Sequence, residues 1–184
     1  LRLGDPADPA TDVGPVIDQA AYDRLMAYRE SRAADIIYRL LVPVDAPKGL
    51  FVPPTLIGLD AIEDLTAEWF GPIVHLATFK AGALEDTIAR INAKGFGLTM
   101  GLHSRVARAA GLVEGQARVG NLYINRSMIG AIVGSQPFGG EGHSGTGPKA
   151  GGPHYLHRFV TERVTSTDTT SAGGNASLLS LGED

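Results

Sequence analysis

None of the 184 residues is cysteine, which excludes a disulfide framework, a thiolate zinc site and any step through a thiolate of this chain itself. Tryptophan occurs once, and no apolar run approaches the roughly 18 to 20 residues of a membrane-crossing helix. The first residues lack the basic stretch leading into an apolar one that marks a secretory signal. Positive charge is neither in excess nor clustered. The 16 Lys and Arg against 20 Asp and Glu leave a formal net charge of -4, so the electrostatic footprint of a nucleic-acid binder is missing. These absences lead to the expectation of a soluble, cytoplasmic protein with no nucleic-acid partner and no membrane span. The chain also lacks an initiator Met and opens abruptly on Leu1-Arg2-Leu3-Gly4-Asp5-Pro6, as expected of a piece of a longer protein.

What is present is a hydrophobic fraction of 43%, enough for a core, together with alternating helix and strand signals. Asp5 to Pro15 reads as a surface loop. Asp18 can cap a helix, with Ile17 and Tyr22 placed as a hydrophobic staple and Ala21, Leu25 and Tyr28 on one face. A second loop is expected around Pro43 to Gly49, and the extended run Phe51 to Ile57 is confined by its prolines to a sheet edge or bulge. Ile73 to Phe79 is a buried-strand candidate, and Leu84, Ile88 and Ile91 share a helical face that Gly95 ends. Leu98 to His103 is a second strand. Ser104 is placed to cap a helix lined by Val106, Ala109, Ala110 and Val113 and ended by Gly115, and Val119 to Ile124 is a third strand. Strand and helix alternating with short connections predicts an α/β fold, a parallel sheet with crossover helices.

Between Gly130 and Gly152 glycine is too frequent for a helix or a regular strand, and a loop this long in a compact domain is functional or disordered. Gly140-Glu141-Gly142-His143-Ser144-Gly145 spells a dinucleotide fingerprint, but no strand precedes it and Gly147, Pro148 and Pro153 forbid a helix after it, so the Rossmann reading fails. From Arg158 to Thr170 the composition turns β-like again. A late strand without a partner in its own sheet is expected to pair with another chain.

Two segments carry a family resemblance. Glu68-Trp69-Phe70-Gly71-Pro72 resembles the aldehyde dehydrogenase segment in which an acidic residue bonds the nicotinamide-side ribose of NAD and an aromatic residue packs beside the ring. Ile129-Gly130-Ala131 with Ser135-Gln136-Pro137-Phe138, followed by Ser144 to Pro153, resembles the branch that oxidises L-glutamate γ-semialdehyde (Δ1-pyrroline-5-carboxylate dehydrogenases), including the dehydrogenase module of bacterial proline utilisation A. The resemblance implies cofactor contacts from Glu68 and Phe70. It also implies a substrate anchor in which backbone N–H groups at Gly130 and Ala131 grip the α-carboxylate of a small amino-acid aldehyde and Phe138 packs on its aliphatic part. Small residues leave such donors accessible, and a carboxylate is the anion they favour.

The same resemblance sets the organisation. Residues 1–157 are expected to form an incomplete aldehyde dehydrogenase catalytic domain and 158–184 an oligomerisation strand and tail, giving a homo-oligomer. The nucleophilic cysteine, the general-base glutamate and the Rossmann domain with most NAD contacts are expected in an upstream segment, and FAD only in a proline dehydrogenase domain of the parent. No catalytic residue is assigned here, and the chain alone is expected to be inactive. Trp69 and His143 depart from the family pattern, which has smaller or apolar residues there. Alternative readings are a non-catalytic assembly module and an aldehyde dehydrogenase of another substrate class. His154-x-x-His157 has metal-binding spacing, but Pro153 argues against the helix it needs and no third ligand appears, so no metal is expected. Glu63 and Asp64 read as a solvated helix face or cap, and His75 and His103 as strand residues.

Overall fold

The computed structural model describes residues 1–42 and 48–168. The first helix, α1 (Gln19–Ser31), begins where Asp18 predicts: its carboxylate accepts the Ala21 N–H at 2.7 Å, satisfying one of the orphan donors of the first turn. The staple does not form, since Ile17 is 93% exposed while Tyr22 turns to the core. Leu25 is fully buried and packs with Val52, Ile57 and Ile73, a burial that stabilises by about 1.5–3 kcal/mol. Arg29, also buried, donates to the Thr55 hydroxyl at 2.8 Å.

Three strands cover α1: β1 (Ile36–Arg39), β2 (Thr55–Leu59) and β3 (Ile73–Ala77), in that spatial order. β2 runs antiparallel to β1 and parallel to β3. The expectation of an edge for the proline-bearing run is therefore corrected. Pro53 and Pro54 stand just before the ladder and cost it no donor, so the strand that follows is central, with Thr55, Ile57 and Leu59 turned inward. β1, bulged between Ile36 and Tyr38, has no counterpart in the sequence reading. β3 is shorter than expected and not buried on both faces, since Val74 is 63% and Leu76 47% exposed.

The second half holds α2 (Leu84–Ala93), β4 (Phe96–Gly97), β5 (Thr99–Leu102), α3 (Ala107–Gln116), β6 (Asn121–Ile124) and β7 (Glu141–Gly142). Gly95 stops α2 at a φ of 76°. β5 and β6 are parallel and α3 lies between them in sequence, but among the described residues β3 does not join them. The single parallel sheet expected from the pattern is thus divided into separate sheets, and the first is mixed. Asn92 ties α2 to the end of α3, donating to Gln116 O at 2.8 Å and accepting from Arg118 N at 2.9 Å. Ser104 is not the N-cap of α3, a place taken by Val106. Its hydroxyl instead accepts the Val106 N–H at 3.1 Å, and Gly115 lies inside the helix rather than at its end.

The glycine-rich stretch is a folded loop held by narrow pairings. Ile132 bridges Gln136, Phe138 bridges Ala150, and β7 pairs antiparallel with β4. Gly142 has a φ of 62°, and a Cβ there would lie 2.5 Å from Gly95 O, so glycine is required by both torsion and space. The GxGxxG letters fall across this ribbon, away from any helix N-terminus. The strand expected from Arg158 is replaced at its start by a 3-10 turn, Tyr155–Phe159, with His154 at its N-cap, and residues 160–168 make no ladder among the described residues. A short helical turn thus follows Pro153, where the sequence reading expects none. Part of the Pro43–Gly49 loop and the tail beyond residue 168 lie outside the described residues.

Candidate cofactor cleft and substrate loop

The segment before β3 is fixed from both sides. At its start, Asp64 accepts the Ala61 N–H at 3.0 Å, while Glu63 takes a fork from Arg90 of α2 at 2.8 and 2.5 Å. The Arg90 hydrogen bond holds the Glu63 carboxyl down to about 2. Asp64 is thus the expected cap, but Glu63 is ion-paired rather than merely solvated. At the far end, a Cβ on Gly71 would lie 2.5 Å from Leu25 Cδ1, so the glycine lets this turn close over the core. Trp69 stacks on Tyr28 of α1 with ring centroids 3.6 Å apart and 11° between planes, under the Arg24 guanidinium at 5.7 Å. Tyr28 in turn bonds His75 of β3 at 2.8 Å, and burial lowers the pKa of that imidazole. With Trp69 turned to the core, the flanking Glu68 and Phe70 are left on the outside.

Both line a cleft of about 530 Å³ whose other walls come from Lys94 and Phe96 after α2, from Thr99, and from His143 and Ser144 of the glycine-rich loop. Among the described residues the Glu68 carboxylate makes no hydrogen bond or ion pair, and Phe70 is 68% exposed. An unengaged carboxylate beside an open aromatic face fits a ribose diol next to a planar ring. Of the two departures from the family pattern, Trp69 does not enter this cleft, whereas His143 does: its ring lies 5.5 Å from that of Phe96 and over Gly95. Lys94, Phe96 and Thr99 carry no functional signal in the sequence, and Ser144 only that of its segment. Only their clustering in the fold reveals them.

The second set of residues lies apart. Gly130 has a φ of 94° with open space around its Cα, and among the described residues the N–H groups of Gly130 and Ala131 find no acceptor. The preceding Ile129 N–H is taken by Ser127 Oγ at 3.2 Å. The Gly130 carbonyl accepts from the Tyr123 hydroxyl at 3.1 Å. Phe138, half-buried, is fixed by a two-way backbone pairing with Ala150. Beneath the loop is a recess of about 350 Å³ lined by Asn121, Tyr123, Arg126, Ser135, Pro137 and Lys149 among others. The Lys149 ammonium closes it by donating to three oxygens: Asn121 Oδ1 and Gly139 O at 3.0 Å each, and Gly120 O. Gly130, Ala131 and Phe138 line neither the recess nor the cleft, so neither of these two spaces brings the five site residues together. Among the described residues no group of three or more His, Cys, Asp or Glu is arranged to hold a metal, and the His154 and His157 rings are 5.7 Å apart. Among the described residues no helix is long and apolar enough to cross a membrane.

Residues 1–165 match the model of the aldehyde dehydrogenase family. The chain is 46% identical over 169 residues to the bifunctional protein PutA of Klebsiella aerogenes, covering 88% of this chain but 13% of that protein. A proline utilization A variant from Bradyrhizobium japonicum superposes with a TM-score of 0.82 at 47% identity, over 94% of this chain and 18% of that one. A 1-pyrroline-5-carboxylate dehydrogenase from Thermus, solved with bound NAD, superposes with a TM-score of 0.72 at 31% identity, over 86% of this chain and 31% of that one. The chain therefore spans under a third of the length of each of these relatives.

Proposed function

This chain belongs to the aldehyde dehydrogenase family, and from that premise we propose that it is the C-terminal part of an NAD-dependent enzyme that oxidises L-glutamate γ-semialdehyde to L-glutamate in proline catabolism. The observation that carries the substrate is the pair of unsatisfied N–H groups at Gly130 and Ala131. Two adjacent main-chain donors, with open space where a Cβ on Gly130 would sit, suit a carboxylate far better than a plain alkyl aldehyde, and each charge-assisted bond is roughly twice as strong as a neutral one. Phe138, held by Ala150, would support the aliphatic part of the substrate. The relatives named PutA and 1-pyrroline-5-carboxylate dehydrogenase support the same reading.

The cofactor side rests on Glu68 and Phe70. NAD held there would supply the hydride acceptor for the oxidation. Glu68 would accept from the ribose hydroxyls, and Phe70 would offer a flat apolar wall that keeps the ring in one orientation and water away from it. With no cysteine present, the nucleophile must come from another segment, which we place upstream with the dinucleotide fold. The parent would be a cytoplasmic bifunctional protein carrying its own FAD-dependent proline dehydrogenase domain. Residues 158–184 would pair with a second copy, since Phe159 and Val164 are exposed by 70% and 85% with no ladder of their own among the described residues. A crystal of the full-length enzyme soaked with glutamate tests the reading. Its α-carboxylate is expected within hydrogen-bond reach of Gly130 N and Ala131 N, and electron density for it elsewhere would reject the substrate.

A further inference from the structure

We infer that Tyr123, a residue with no assigned role, is a positioning residue for the substrate carboxylate: by holding the Gly130 carbonyl it turns the Ala131 N–H outward. The inference rests on the anchor reading above. In a trans peptide the carbonyl and the following N–H point in opposite directions, and the chain has no cis peptide bond among its described residues. Whatever fixes Gly130 O therefore also fixes Ala131 N–H, on the opposite side.

Among the described residues the Tyr123 hydroxyl is the one donor to that carbonyl, at 3.1 Å, and the Gly130–Ala131 backbone makes no other hydrogen bond. The next ties along the loop are at Ile132 and Gly134, which bond Gln136 and Gly151. Gly130 at a φ of 94° is a position where a peptide plane can rotate with little steric resistance, so without the hydroxyl the donor would sample both faces. Tyr123 itself cannot drift. It is 4% exposed, sits on β6 opposite Gly101 of β5, and carries the Arg126 guanidinium 5.2 Å from its ring centroid. A rigid strand thus sets the aim of a mobile type of peptide, and an amide whose carbonyl is already bonded is also the stronger donor.

The test is Tyr123→Phe in the full-length enzyme, which keeps the ring volume and removes the hydroxyl alone. KM for the semialdehyde and the inhibition constant of glutamate should rise together by roughly 2- to 10-fold, the worth of one neutral hydrogen bond. The turnover number, KM for NAD and KM for propanal should stay at wild-type values. Unchanged semialdehyde KM and glutamate inhibition would overturn the role. So would equal rises for propanal, or a general loss of activity with both aldehydes, because those mark a merely structural tyrosine. If the wild type itself fails to prefer the semialdehyde and is not inhibited by glutamate, the carboxylate anchor falls and Tyr123 falls with it. A discriminating wild type with an indifferent Tyr123→Phe sinks only the tyrosine.

Discussion

Removing the Glu68 carboxylate should separate cofactor use from stability. In the structure this side chain is exposed and makes no hydrogen bond or ion pair among the described residues. Its deletion therefore breaks nothing in the fold, and a surface change of this type alters stability by no more than about 0.5 kcal/mol. Against a ribose hydroxyl the same group would make a charge-assisted hydrogen bond, contributing about 1.5–3 kcal/mol. In the full-length enzyme, Glu68→Ala is then expected to raise KM for NAD by roughly ten- to a hundred-fold. Glu68→Gln keeps the length and one acceptor oxygen, so its effect should fall between that of alanine and the wild type. Steady-state kinetics at saturating aldehyde, direct titration with NADH by fluorescence, and thermal unfolding of the same preparations give the three readouts. Unchanged NAD kinetics in Glu68→Ala would reject the ribose contact, and a weakened cofactor accompanied by a fall in melting temperature would assign the residue to the fold instead.

Gly130→Val places a branched side chain at a positive φ, where non-glycine residues are strained, and it should raise KM for the semialdehyde well above any change for propanal; equal effects on the two aldehydes would contradict carboxylate anchoring. The Glu63–Arg90 pair carries a pH signature. The folded-state pKa of Glu63 lies near 2 against an ordinary 4.5, so its contribution is complete above about pH 4.5 and declines as the pH falls toward 2. Hydrogen exchange of the α2 amides, corrected for intrinsic rates, should be faster in Glu63→Gln than in the wild type at pH 6, with the gap narrowing below pH 4.5 and at high salt. A gap independent of pH would deny the ion pair any part in it.

The sequence discloses those parts of the fold that follow from one segment at a time. Asp18 announces α1 because capping is local, and Leu84, Ile88 and Ile91 announce α2 because its buried stripe faces one way. β1 is missed because its exposed residues leave no alternation to read, with Ile36 half-buried and Ile37, Tyr38 and Arg39 in the open. The division of the strands between sheets is invisible for a different reason: periodicity tells that Ile73 and Thr99 begin strands but not which neighbours they choose. The site divides along the same line. Glu68, Phe70, Gly130 and Phe138 are legible through resemblance, whereas Lys94, Phe96 and His143 meet Glu68 only after the loop folds back to pair β7 with β4. Tyr123 and two of the three Lys149 contacts act on main-chain carbonyl groups, which every residue possesses, so no letter in the chain marks those partners.

The three oxygens gathered around the Lys149 ammonium have the arrangement of a small ionophore, with the protein supplying its own cation. A covalently attached counter-charge cannot be diluted, exchanged or chelated away, because its effective concentration is set by the few bonds that link it to the backbone. The loop is thus held over β6 by a cation that the chain itself carries.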